Sequence, residues 1–150
     1  MRVAMGSDHA GFELRRQLAT FVAKLGHEVV DVGTDSPDSV DYPVFGVAVA
    51  NLVASGDCER GIAICGTGVG IGIAANKVHG VRAVICSEPY SARMARQHNN
   101  ANVLAIGARV VGLGLAEDIV TQWLSAEFEG GRHARRVDQL GALDAGQPLC

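Results

Sequence analysis

Five short runs of apolar and β-branched residues punctuate the chain, at Arg2–Met5, Glu28–Val32, Gly61–Cys65, Arg82–Cys86 and Val103–Ile106. Runs of this length, bounded by polar turns, read as buried strands. The stretches between them change period. Leu14, Leu18, Phe21, Val22 and Leu25 fall at i, i+4, i+7, i+8 and i+11, one face of a helix, while Arg15, Arg16, Gln17 and Lys24 take the other. Ala116, Ile119, Val120, Trp123 and Leu124 repeat that logic late in the chain, and Pro43 and Pro89 stand where a first helical turn accepts proline. Strand therefore alternates with helix throughout. Helices long enough to cross back imply right-handed crossovers and a parallel sheet covered on both faces. The expected architecture is α/β: a three-layer α/β/α sandwich around a doubly wound, Rossmann-like, five-stranded parallel sheet, in one domain spanning residues 1–150. A short basic helix near the end is expected to give way to a loose tail after about residue 140. The pattern leaves the strand order open.

Composition narrows the partners. A chain of 150 residues buries roughly two thirds of its unfolded surface, enough for one core. Thirteen basic and sixteen acidic residues give a formal charge of −3 and no basic footprint, which points away from nucleic acid and anionic membranes and toward a small-molecule partner. No apolar run reaches the roughly 20 residues of a membrane span, and MRVAMGSDHAG runs into a strand pattern without a signal-peptide core, so a cytoplasmic location is expected. Cys58, Cys65, Cys86 and Cys150 form no CxxC pair and are expected to be free thiols. No Cys/His cluster has zinc spacing, so no metal site is expected.

In open parallel sheets ligands bind beyond the carboxyl ends of the strands, which sorts the polar residues by edge. Asp8 and His9 follow the first strand, Asp41 and Tyr42 follow the second, Cys65 ends the third, and Arg109 follows the fifth. His27 and His79 precede strands and fall at the opposite edge, as surface or capping histidines. After Cys65 the segment ICGTGVGIGIAANK places four glycines in seven residues. It is not a dinucleotide fingerprint, because Ile71 and Ile73 occupy the third-glycine positions of its two best registers, and Gly6 to Gly11 lacks the lysine and hydroxyl of a phosphate loop. Successive backbone N–H groups from Gly66 to Gly70 can stabilise an anion or a developing oxyanion, or the glycines can serve a tight packing turn. Cys65 faces that turn, a location that favours thiolate over thiol, although an unpaired cysteine is also commonly a small buried apolar residue. Arg132 and Arg136 in GGRHARRVD share a helix face and can clamp a phosphate, or form a solvated basic patch. His98 and Asn99 end a helix, where asparagine serves as a C-cap.

Taken together, GSDHAGFELR, DYPVF, ICGTGVGIGIAANKV, RQHNNANVLAIGARVVG and FEGGRHARRVD resemble the ribose-5-phosphate isomerase B family, which also contains allose- and galactose-6-phosphate isomerases, from Met1 to about Leu140. The resemblance implies an aldose–ketose isomerase without metal or organic cofactor, acting as a homodimer or dimer of dimers with shared active sites. It implies Cys65 as the base that moves a proton between C2 and C1 through an enediolate, with Gly66, Thr67, Gly68, Val69 and Gly70 around the oxyanion and Thr67 near the reacting oxygens. His98 is implied as the acid–base residue that opens the cyclic sugar. Asp8, His9, Tyr42 and Asn99 are implied as substrate contacts, and Arg109, Arg132 and Arg136 as phosphate ligands. A branch of the family with a glutamate base carries it where this chain has Ile71, and a glycine where it has Cys65, so the sequence sits with the cysteine branch. The span before His98 returns antiparallel to the strands, which puts His98 away from its own Cys65 and implies that a neighbouring subunit completes the site. Ribose 5-phosphate is the expected substrate, with a hexose 6-phosphate or tetrose phosphate as the alternative within the class. A non-catalytic sugar-phosphate sensor is the alternative from another class, since fold does not fix function.

Overall fold

The computed structural model describes residues 1–149, and Cys150 lies outside them. The apolar runs form β1 (Arg2–Ser7), β2 (Glu28–Asp31), β3 (Arg60–Cys65), β4 (Ala83–Ile85) and β5 (Val103–Gly107). All pair in parallel in the order β2-β1-β3-β5-β4. The intervening segments form α1 (Phe12–Lys24), α2 (Tyr42–Ala54), α3 (Val69–Ala75), α4 (Pro89–Asn99) and α5 (Leu113–Ser125). A last helix, α6 (Arg132–Asp144), extends past the residue where a loose tail is expected, because Asp144 is tied down by Gly80 N–H at 2.6 Å and lies 3.2 Å from His79 Nδ1. No described helix is long and apolar enough to cross a membrane.

Alternation along the strands divides the interior in two. On β3, Ile62 and Ile64 join Met5, Leu18, Leu104, Ile106, Ile119 and Trp123 in one core beneath α1, α4 and α5. Ala63 and Cys65 point the other way, into a core with Val49, Ile71 and Ala105 beneath α2 and α3. This gives the expected three layers. Cys65 therefore belongs to the α2–α3 face.

The strand order follows from which face each crossover uses. Right-handed connections through α2 and α3 carry the chain in one direction across the sheet, and those through α1 and α4 carry it back. Because α1 leaves β1 toward β2 while β3 lies on its other side, the carboxyl ends of β1 and β3 flank a topological switch point. In such sheets the crevice at that point is where ligands bind.

β4 is shorter than its apolar run. Arg82 N–H is taken by the Asn102 side chain at 2.7 Å, so of the Arg82 main-chain groups only the carbonyl bonds to backbone, accepting from Asn102 N–H at 3.1 Å.

Candidate active site

The turn after β3 is built by close backbone approach. Gly68 sits at φ 78°, and a Cβ there would lie 2.9 Å from the backbone of Ile106, so glycine is required on both conformational and steric grounds. The turn is laced to the end of β5: Ala108 N–H donates to Cys65 O at 2.8 Å and Arg109 N–H to Gly66 O at 3.0 Å. These bonds bring the Arg109 guanidinium beside Gly66, where a Cβ would meet its Nη1 at 3.2 Å. Within the turn Gly68 N–H donates to Cys65 Sγ at 3.2 Å, an interaction that strengthens as the sulfur gains negative charge. Thr67 is exposed, and its Oγ1 accepts from Val69 N–H at 3.3 Å. The glycine segment is thus both a packing turn and the source of an amide donor to the Cys65 thiol.

The β1 end supplies the opposite wall. Asp8 is buried and its Oδ1 accepts from the N–H groups of Ala10 and Gly11 at 2.9 and 3.1 Å, which shapes the turn into α1. His9 Nδ1 accepts from Val40 N–H at 3.1 Å. That bond orients the ring and uses its Nδ1 as an acceptor. Tyr42, the first residue of α2, lays its ring against Gly70, where a Cβ would meet it at 2.7 Å. Loop residues 33–41, which carry Val40, are held by Arg15, whose guanidinium donates to Thr34 O at 2.8 Å and pairs with Asp31 at 3.2 Å. Asp8, His9, Tyr42, Cys65, Gly66–Gly70 and Arg109 therefore form one constellation at the carboxyl edge of the sheet.

His98, Asn99, Arg132 and Arg136 lie elsewhere. His98 is in the last turn of α4, which leads into the start of β5 at Val103, whereas Cys65 pairs with Gly107 at its far end. Four strand steps of about 3.3 Å put roughly 13 Å of β5 between these edges. Glu129 N–H donates to Gln97 O at 3.0 Å, which ties the entry of α6 to the end of α4 and gathers Arg132 and Arg136 beside His98. The helix cap is Asn100, in the left-handed region at φ 47°, rather than its neighbour Asn99, the last helical residue. Asn99 borders a cavity of about 520 Å³ between β4, α4 and α6 that has Leu140 and Leu143 on its far wall and does not reach Cys65.

At this second edge the structure assembles a group that linear spacing does not show. His98 and His133 stack with ring centroids 4.1 Å apart and planes 7° from parallel. Their Nε2 atoms lie 3.9 and 3.8 Å from Glu129 Oε2. The three donor atoms lie within 4.8 Å of one another, a donor set a divalent cation can use. In-plane lone pairs on parallel rings run side by side, so one ring has to turn before both nitrogens can meet one ion. Burial first, then the charges of His98 and Arg132, holds His133 below the ordinary histidine value. Glu129 and His133 were not among the residues implied by the motifs. His133 lies between the two arginines in sequence, but its stacking partner His98 is 35 residues away.

Among the described residues, Cys58 and Cys86 are buried thiols away from the glycine turn. Cys86 packs in the α1–α5 core, where burial pushes its thiol up to about 11, and burial likewise raises Cys58.

The chain matches the family model described as ribose/galactose isomerase over residues 3–140. It is 54% identical to ribose-5-phosphate isomerase B of Escherichia coli (strain K12), over 95% of this chain and 96% of that one. It is 42% identical to D-erythrulose-4-phosphate isomerase of Pectobacterium atrosepticum, over 94% and 93%. The solved structure of Clostridium thermocellum ribose-5-phosphate isomerase B superposes with a TM-score of 0.96 at 58% identity, covering 97% of this chain and 99% of that one. Similarity of this extent selects an enzyme over a sensor: the chain belongs to the ribose/galactose isomerase family and is an aldose–ketose isomerase.

Proposed function

We propose that the protein interconverts ribose 5-phosphate and ribulose 5-phosphate through a cis-enediolate. The observation that carries this reading is Cys65 Sγ held by Gly68 N–H at 3.2 Å, inside a turn of successive amides beside the Arg109 guanidinium. A base within reach of a carbon-bound proton and donors aimed at the resulting charge are what enolisation requires. Cys65, as thiolate, takes the proton from C2 of the open-chain aldose and returns it to C1. The C2 hydroxyl proton passes to O1, a transfer in which Thr67 Oγ1 hydrogen-bonds the two oxygens. C1 is reduced as C2 is oxidised, so the step balances internally and calls on no cofactor.

The phosphate and the ring-opening group come from the other edge. His98 opens the furanose by moving a proton between the ring oxygen and the C1 hydroxyl. Arg132 and Arg136 hold the phosphate, with Arg109 approaching from the Cys65 side. His9 and Asn99 bind hydroxyls, and Asp8 shapes the turn that presents His9.

One chain holds these two sets at opposite edges, so a second copy completes each site. Val69 and Ile73 on α3, Ile85 on β4 and Leu140 and Leu143 on α6 are exposed, an apolar surface suited to that copy. A homodimer, or a dimer of such dimers, is the working unit.

The experiment is a panel of ribose 5-phosphate, allose 6-phosphate, galactose 6-phosphate and erythrose 4-phosphate assayed for ketose formation. The highest kcat/KM is expected for ribose 5-phosphate. A higher value for a hexose or tetrose phosphate reassigns the substrate on the same chemistry.

A further inference from the structure

We propose that His133 is a positioning residue for His98, holding that imidazole by stacking beside the Glu129 carboxylate. The inference rests on His98 as the ring-opening group. Its geometry is independent of that role. Gly130 and Gly131 both take positive φ, 65° and 53°, so the chain reverses sharply after Glu129 and His133 N–H closes on Gly130 O at 3.0 Å. The reversal returns His133 over the last turn of α4. Because Glu129 N–H is bonded to Gln97 O, the carboxylate is anchored one residue from the ring it serves.

The two rings are not equivalent. The His133 side chain is 11% exposed and that of His98 is 37% exposed. The buried ring fixes, and the accessible ring meets the sugar. On α6, Arg132 and Arg136 lie about 100° and 60° to one side of His133, which leaves the histidine facing α4 and the guanidiniums facing the substrate.

The Glu129 carboxylate faces both rings, its Oε2 3.9 Å from His98 Nε2 and 3.8 Å from His133 Nε2. From α5, the facing polar contact on α4 is Gln122 with Arg93, at 3.5 Å.

The test compares a sugar that cyclises with one that cannot. With ribose 5-phosphate, His133→Ala is expected to lower kcat about 10- to 100-fold with little change in KM, the cost of a misplaced acid–base group. With erythrose 4-phosphate, whose C4 oxygen is blocked by phosphate, the loss is expected to be much smaller. His133→Phe keeps a flat ring in the stack and is expected to recover most of the turnover. Equal losses on both sugars, or a Phe variant no better than Ala, overturns the positioning role. His98→Asn separates this inference from the reading beneath it: if that variant also loses equally on both sugars, ring opening by His98 falls and the inference with it. If His98→Asn spares the tetrose while His133→Ala does not, only the inference falls.

Discussion

Two cysteines at two strand ends show how little burial alone says about chemistry. Cys65 and Cys86 are each 4% exposed. Cys86 meets apolar side chains, and desolvation pushes its thiol up to about 11, so it stays protonated at neutral pH. Cys65 meets an amide, Gly68 N–H, within a turn laced to Arg109. Cys65→Ala is therefore expected to lower kcat about 10²- to 10⁴-fold with KM little changed, the range for removing a general base. Cys86→Ala is expected to leave kcat/KM within about twofold, while costing about 1 kcal/mol of stability from lost packing. Steady-state kinetics and denaturant unfolding check both. Turnover of Cys65→Ala near that of the parent removes the base from this turn.

Among the elements, the β3–α3 turn and α6 carry most of the site, and they depend on different physics. The turn relies on backbone approach: Gly68→Ala forces a side chain into the left-handed region and against the backbone of Ile106 at 2.9 Å. A loss of about 1–3 kcal/mol from the backbone conformation alone is expected. Gly141, inside α6, has open space where a Cβ would go, and Gly141→Ala is expected to gain about 0.5–1 kcal/mol. Urea midpoints that fall together for both variants remove the special claim of Gly68.

On α6 the argument is angular. Arg132 and Arg136 are about 40° apart around the helix, while Arg135 is about 80° from the midline between them. Arg132→Ala and Arg136→Ala are each expected to raise KM for the sugar phosphate about 10- to 100-fold, and to weaken inhibition by inorganic phosphate in parallel. The double variant should lose less than the sum, because both donors share one phosphate. Arg135→Ala is expected to change neither quantity. Motifs confined to one stretch, such as ICGTGVG, were legible because one turn contains the whole device. The His98–Glu129–His133 group was not, because a glycine reversal assembles it from separate segments. Strand periodicity similarly shows that β3 and β5 are buried on both faces, but not that β5 returns between β3 and β4. That order depends on α3 and α4 covering opposite faces.

At the scale of the whole molecule, the governing fact is the length of the sheet. Cys65 and the glycine turn close one end of β3 and β5, and His98 with α6 closes the other, so under the proposed roles neither edge alone holds a base, a ring-opening group and a phosphate clamp. Val69 and Ile73 on α3 and Ile85 on β4 are exposed, and the proposed two-fold pairing over them would set one protomer's α4–α6 edge against its partner's turn. This arrangement has a consequence that a self-contained site lacks. Cys65→Ala and His98→Asn each disable a different half, so each homodimer has two defective sites. When equal amounts are mixed and allowed to exchange subunits, half of the dimers are mixed. In each mixed dimer one site combines intact Cys65 from one chain with intact His98 from the other. Turnover of ribose 5-phosphate is then expected to rise to about a quarter of the parent value, by the statistics of a two-fold dimer. Mass spectrometry under native conditions, on chains of distinguishable mass, verifies that exchange occurred. If mixed dimers form and activity stays at the sum of the two variants, each site lies within one chain and the shared-site arrangement is wrong.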